Sequence, residues 1–177
     1  MERVIYTIGH SNRDLNTFIF ILKKFNINVL IDVRRFPSSK LAWFKRDYLK
    51  SELKSFEINY ISIPELGALG VSKYVTPLQN INCISSSTFK SYITYLLSNS
   101  IAKSKIHEIV DMLNRGLKLC LMCRERFPWK CHRYYLSDYL KAMKIDVLHL
   151  IDQDRIYVHK GSRCYGYISS KIMQRNC

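Results

Sequence analysis

The sequence predicts an α/β fold: a three-layer sandwich with a mostly parallel, Rossmann-like sheet and helices on both faces. Three observations carry this. Short apolar runs alternate along the chain with segments of helical periodicity. The early runs end in turn-forming or polar residues, the first at Gly9 and the second at Asp32-Val33-Arg34-Arg35 before Pro37. The 177 residues, 47% hydrophobic with only six Gly, match one domain with a sizeable core. Strands alternating with helices imply right-handed crossovers and a sheet covered on both faces.

The elements follow in order. Residues 4–8 form a buried strand. Asn12 or Asp14 is placed to cap the next helix, whose apolar face is Leu15, Phe18, Ile19, Leu22 and Phe25. Residues 29–33 are a second strand, and Leu49, Leu53 and Phe56 mark a second helix. Residues 60–63 are a third strand, stopped by Pro64. Residues 67–82 read as a long loop, either functional in itself or holding a short helix. Residues 88–97 and 101–113 form one bent helix or two successive ones, with Gly116 suited to the position past the end. A fourth strand at 117–122, a helix at 131–143, a fifth strand at 147–151 and an edge strand at 156–159 complete the pattern. The whole chain, 1–177, reads as a single domain. Residues 160–177 are a basic, less patterned C-terminal extension, either a cover for the sheet edge or a partly mobile tail.

The formal charge is +14. A small domain needs only about 2–8 units for solubility. The excess suits a polyanionic partner, nucleic acid or a nucleotide, although a Lys-rich surface also serves solubility alone. The opening residues lack the pattern of a signal peptide, and no run approaches a membrane span of ~18 apolar residues. These features read as a soluble cytoplasmic protein with no membrane partner. The six cysteines, Cys83, Cys120, Cys123, Cys131, Cys164 and Cys177, are on that reading thiols rather than a disulfide framework.

Open parallel sheets bind ligands beyond the carboxyl ends of their strands. Three segments follow such ends: Gly9-His10-Ser11-Asn12, Asp32 through Ser38, and Cys123-Arg124-Glu125 through Cys131-His132-Arg133. Their convergence on one crevice is the central expectation. A helix starting near Cys131 would offer free backbone N–H groups to an anion. Arg34 and Arg133 would hold that anion, with Ser11, Ser38 and His132 beside it. Glu125 would orient an arginine or activate a water, with Asp32 as the alternative base and His10 as acid or orienter. The helix field would activate Cys131 as a nucleophile. Each residue has a plainer reading. Cys123 and Cys131 pack as small buried groups, Glu125 forms a structural ion pair with Arg34 or Arg133, Asp32 caps or braces its own loop, and His132 is a helix-start surface residue or a satisfied core histidine. Trp43, Lys45 and Arg46, with Arg124 and Arg126, interleave aromatics and cations as a nucleic-acid groove does, or form an amphipathic helix edge.

Zinc has the right donors in Cys120, Cys123, Cys131 and His132. Residues three apart on a strand point to opposite faces, so Cys120 and Cys123 diverge, and the adjacent Cys131 and His132 rarely chelate one ion. The expectation is therefore no metal, and no nucleotide-cofactor motif is present, which leaves the cofactor unknown.

Thr7-Ile8-Gly9-His10-Ser11, Asp32-Val33-Arg34 with Pro37 and Ser38, Leu66-Gly67, and Leu121-Met122-Cys123 with Glu125, Pro128 and Cys131-His132-Arg133 together resemble the family catalogued as domain of unknown function 488. The resemblance implies an α/β sandwich with a site built from these motifs, and no established reaction. The chain departs from the family's usual pattern at Ala68, Arg124 and Phe127, and the last two make this site more basic and more apolar.

The function expected is a hydrolase-like enzyme acting on a phosphate-bearing substrate, nucleic acid or a nucleotide. The alternatives are a non-catalytic nucleic-acid-binding module and an enzyme with a cysteine nucleophile at Cys131 or Cys123 based on His10 or His132.

Overall fold

The computed structural model describes residues 3–174. Six strands form one sheet in the order β3-β2-β4-β1-β5-β6. They are β1 (Val4–Gly9), β2 (Val29–Asp32), β3 (Asn59–Ser62), β4 (Leu119–Cys123), β5 (Asp146–Asp152) and β6 (Arg155–Val158). All neighbours pair in parallel except β6, which returns antiparallel to β5 at one edge. The continuous burial of β2 and β4 is what a strand covered on both faces requires.

One covering layer holds α1 (Leu15–Lys24) and α2 (Arg46–Lys54). Phe18, Leu22, Leu49 and Leu53 pack there on Ile8, Leu30, Cys120 and Met122 of the sheet. Each such buried side chain contributes roughly 1.5–3 kcal/mol. The other layer holds α3 (Ser87–Ser98), α4 (Ser100–Asn114), α5 (Arg133–Ala142) and α6 (Tyr165–Met173), over Ile31, Leu119, Leu121, Cys123 and Val147. Alternation along β4 thus sends Cys120 to one layer and Cys123 to the other.

Local signals set the boundaries. Asp14, not Asn12, caps α1, accepting from the Thr17 N–H at 2.8 Å. Asn99 is extended (φ −78°, ψ 126°) and caps α4 through Ala102, so the segment after residue 86 is two successive helices. Gly116 adopts φ +84° beyond the end of α4.

The loop at 67–82 holds a short 3-10 turn, Val71–Lys73, anchored by buried Val71, one of the two readings the sequence left open. Two features differ from the sequence expectation. The C-terminal extension carries α6, which docks through Ile168, with Tyr167 and Ile172 partly buried; residues 175–177, including Cys177, lie outside the described residues. Cys83 and Cys164 form a disulfide rather than remaining thiols, because the packing of the loop after β3 near α6 brings their Cα atoms to 5.1 Å. Cys120, Cys123 and Cys131 are free and buried. No helix among the described residues is long and apolar enough to cross a membrane.

Gly166 sits in the first turn of α6, exposed, and a Cβ added there meets nothing within 4 Å. Gly166→Ala should raise stability by about 0.5–1 kcal/mol through reduced freedom of the unfolded chain. A thermal melt checks this, and a lowered midpoint would contradict a helical Gly166.

Candidate functional site

β1 and β2 lead into helices of one layer, while β4, lying between them, leads to α5 in the other. The loops diverge at that point and open a crevice at the carboxyl ends of the strands. A cleft of about 550 Å³ occupies it, lined by His10, Ser11 and Asn12 after β1, Ser38, Ser39, Lys40 and Leu41 after β2, and Arg124 and Glu125 after β4. Each of the three segments expected to converge contributes to this lining, the third only through Arg124 and Glu125.

The β1 and β4 loops are stitched together beyond the sheet. His10 N–H donates to the Cys123 carbonyl at 3.0 Å and Ser11 N–H to the Arg124 carbonyl at 2.7 Å. Gly9 makes this possible, since a Cβ there would stand 1.8 Å from the Glu125 carbonyl oxygen. Gly67 has the same role in the third motif: its Cβ would lie 2.3 Å from the Arg35 nitrogen.

Asp32, Arg34, Tyr60 and His10 form one buried network. Arg34 Nε donates to Asp32 Oδ1 at 2.8 Å and its Nη2 to Asp32 Oδ2, while Tyr60 donates to the same carboxylate at 2.6 Å. Arg34 also donates to the Phe44 carbonyl at 3.0 Å and, through Nη1, to His10 Nε2 at 3.1 Å. Arginine has no acceptor, so His10 Nε2 carries a lone pair and the proton is on Nδ1, which donates to the Ser11 carbonyl at 3.0 Å. Burial, reinforced by the Arg34 charge, lowers the His10 pKa to about 4, so the ring is neutral at pH 7. Phe44 stacks on it at 4.4 Å. Burial opposes the Arg34 charge, but the Asp32 carboxylate outweighs it and raises that pKa.

The other arginines divide between core and cleft. Arg133 is fully buried: its guanidinium holds the Glu125 and Arg126 carbonyls and, at 3.2 Å, the Thr7 hydroxyl. Arg13 and Arg126 both pair with Asp152. Arg34 and Arg133, expected as anion clamps, therefore have their donors turned to protein groups, whereas Arg124 is exposed at the cleft. Glu125, half-exposed, lies 4.0 Å from Arg124, a surface pair of small energy that leaves the carboxylate free to act. Trp43 is half-buried and donates to the Arg13 carbonyl at 3.0 Å, which ties the wall beyond Leu41 to the β1 loop. Lys45 and Arg46 are exposed at the start of α2.

Cys123, Cys131 and His132 lie below the cleft and do not line it. Their burial places the start of α5 away from the lining, contrary to the expected anion-binding helix end. His132 Nδ1 is 3.6 Å from Cys123 Sγ and 3.7 Å from Cys131 Sγ. Burial raises the Cys131 thiol, but a hydrogen bond from Cys123 and the field of His132 bring it well below its usual range; that bond and burial push Cys123 up.

Sequence reasoning placed Asn12 in a converging segment but missed Ser39, Lys40 and Leu41 as lining. The only available signal was their position after a strand end. It also missed a buried polar chain below the site. One proton arrangement satisfies all of it: Thr7 Oγ1 donates to His149 Nδ1 at 2.6 Å, His149 Nε2 to His159 Nδ1 at 3.0 Å, and His159 Nε2 to Asp138 at 3.0 Å. Thr7 in turn accepts from Arg133, so the chain braces the carbonyls of the Glu125 loop.

Fold and cleft together define a Rossmann-like α/β sandwich with a strand-end site. The chain belongs to the family described as Domain of unknown function DUF488, whose model matches residues 14–140. That span takes in the second, third and fourth motifs; the Gly9-His10-Ser11 turn lies just before it. Comparison with curated proteins and with solved structures gave no match.

Proposed function

We propose that the cleft is the active site of a hydrolase-like enzyme acting on a phosphate-bearing substrate, nucleic acid or a nucleotide. The observation that carries this is the makeup of the lining: Glu125 is its one carboxylate, set among Arg124, Lys40 and the hydroxyls of Ser11, Ser38 and Ser39. Cations and hydroxyls hold phosphate oxygens, and a lone exposed carboxylate takes the proton of an attacking water. The charge of +14 draws a polyanion to such a cleft. In this reading Glu125 is the base. Asp32, enclosed by Arg34 and Tyr60, is a brace, and neutral His10 orients the Ser11 loop. The buried thiols take no part in the reaction.

The test incubates labelled single- and double-stranded DNA and RNA, and nucleoside phosphates, with the wild-type protein and with Glu125→Gln, with and without a divalent metal. Wild type should give products, and Glu125→Gln should be slower by roughly 10²–10⁴-fold. The melting midpoint should barely move, since the side chain is half-exposed. Equal turnover by the variant would remove Glu125 from the reaction. Intact substrates throughout would overturn the catalytic reading in favour of a nucleic-acid-binding module, whose affinity falls steeply with salt.

A further inference from the structure

We propose that Cys123, Cys131 and His132 form a binding site for a single zinc ion. Their three donor atoms lie within 4.8 Å of one another, the described group of His, Cys and carboxylate side chains able to share one ion. The individual distances are more telling. Zinc–sulfur bonds of about 2.3 Å and zinc–nitrogen bonds of about 2.05 Å, set at the tetrahedral angle, put sulfur and nitrogen roughly 3.6 Å apart. His132 Nδ1 lies 3.6 Å from Cys123 Sγ and 3.7 Å from Cys131 Sγ. Both sulfur–nitrogen separations thus already match those around a bound ion.

The imidazole is already oriented for the purpose. His132 Nε2 lies 3.2 Å from the Val33 carbonyl, which can only accept. The ring proton is thus on Nε2, and Nδ1 presents its lone pair to the two sulfurs. A backbone carbonyl that fixes the tautomer in this way is the usual outer support of a metal-bound histidine. Two thiolates and an imidazole favour a thiophilic cation over calcium or magnesium. Both cysteines bind as thiolates, any thiol proton still present passing to solvent, and the ion keeps one position for a water or another donor.

The local backbone explains why spacing alone argued against this. Cys120 does face the other layer, as strand alternation requires. Cys123 closes β4 on the α5 side. Cys131 is extended (φ −135°, ψ 149°) after the 3-10 turn Pro128–Lys130, whereas His132 is helical (φ −58°, ψ −28°). This change of conformation between neighbours turns both side chains to one point. None of the three lines the cleft, so the site stands whether or not the cleft is catalytic.

The test uses the full chain, reduced and stripped with chelator, its fold checked by circular dichroism. Cobalt(II) titration should saturate at one ion per chain with a thiolate charge-transfer band, which zinc abolishes by displacement. Cys131→Ser and His132→Ala should lose the band, and Cys83→Ala with Cys164→Ala should keep it. Because a variant can misfold, wild-type alkylation read by mass spectrometry gives a second measure: zinc should shield Cys123 and Cys131 and leave Cys120 unchanged. A folded, reduced wild type that binds no metal overturns the proposal. So does metal binding without shielding of these two thiols, or a Cys123–Cys131 disulfide whose formation zinc does not prevent.

Discussion

Asp32→Ala should destabilise the protein by about 3–5 kcal/mol, the cost of stranding a buried charge. Arg34 is 5% exposed and its counter-ion is fully buried, so no water can replace the lost carboxylate. Tyr60 loses its acceptor in the same step. For a chain of this length the midpoint should fall by roughly 6–20 °C. Asp32→Ala combined with Arg34→Met should be less damaging than Asp32→Ala alone, because the guanidinium leaves with its partner. Thermal or urea denaturation of the three proteins decides the matter. A single variant within ~1 kcal/mol of wild type would mean that the network contributes little to holding Arg34.

Gly9→Ala should disrupt the site more than its single methyl suggests. The added Cβ would meet the Glu125 carbonyl oxygen at 1.8 Å, its carbon at 2.4 Å and the Arg126 Cα at 2.8 Å. These are main-chain atoms, and Arg133 holds the Glu125 carbonyl and the neighbouring Arg126 carbonyl from below, so neither side yields cheaply. Such overpacking typically costs about 1–3 kcal/mol. The larger loss is in position: a shift near ~1 Å at a reacting group can cost roughly 10²-fold in rate. Melting and turnover of Gly9→Ala beside wild type check both effects, and a variant matching wild type in both would remove the proposed steric role of Gly9.

The centre of the sheet was legible because strands such as β2 and β4 are almost wholly apolar runs, a pattern that survives without knowledge of partners. Helix α6 was not, because only Ile168 of its nine residues is fully buried, and Ser, Lys and Gly break up its remaining apolar positions. Cys83 and Cys164 escaped for another reason: 81 positions separate them, and only tertiary packing brings them together. For the site, strand-end position pointed to His10, Ser11, Ser38, Arg124 and Glu125. Composition could not show which arginines turn inward, since Arg34, Arg124 and Arg133 carry the same charge and differ only in what surrounds them. Periodicity correctly separated Cys120 from Cys123, but it has no hold on the turn where Cys131 and His132 swing together.

The Cys83–Cys164 bond makes a closed ring of the segment that carries α3, α4, β4, α5, β5 and β6, with the first five elements as an open arm. Closing a loop of 81 positions withdraws about 4.5 kcal/mol of chain entropy from the unfolded state. Yet the ring cannot complete its own sheet. β4 has β2 and β1 on its two sides, and β1 alone separates it from β5. The strands of the ring are therefore joined into one sheet only through β1, which the arm supplies. His10 and Ser38 belong to the arm and Glu125 to the ring, so the cleft comes into being only where the two meet.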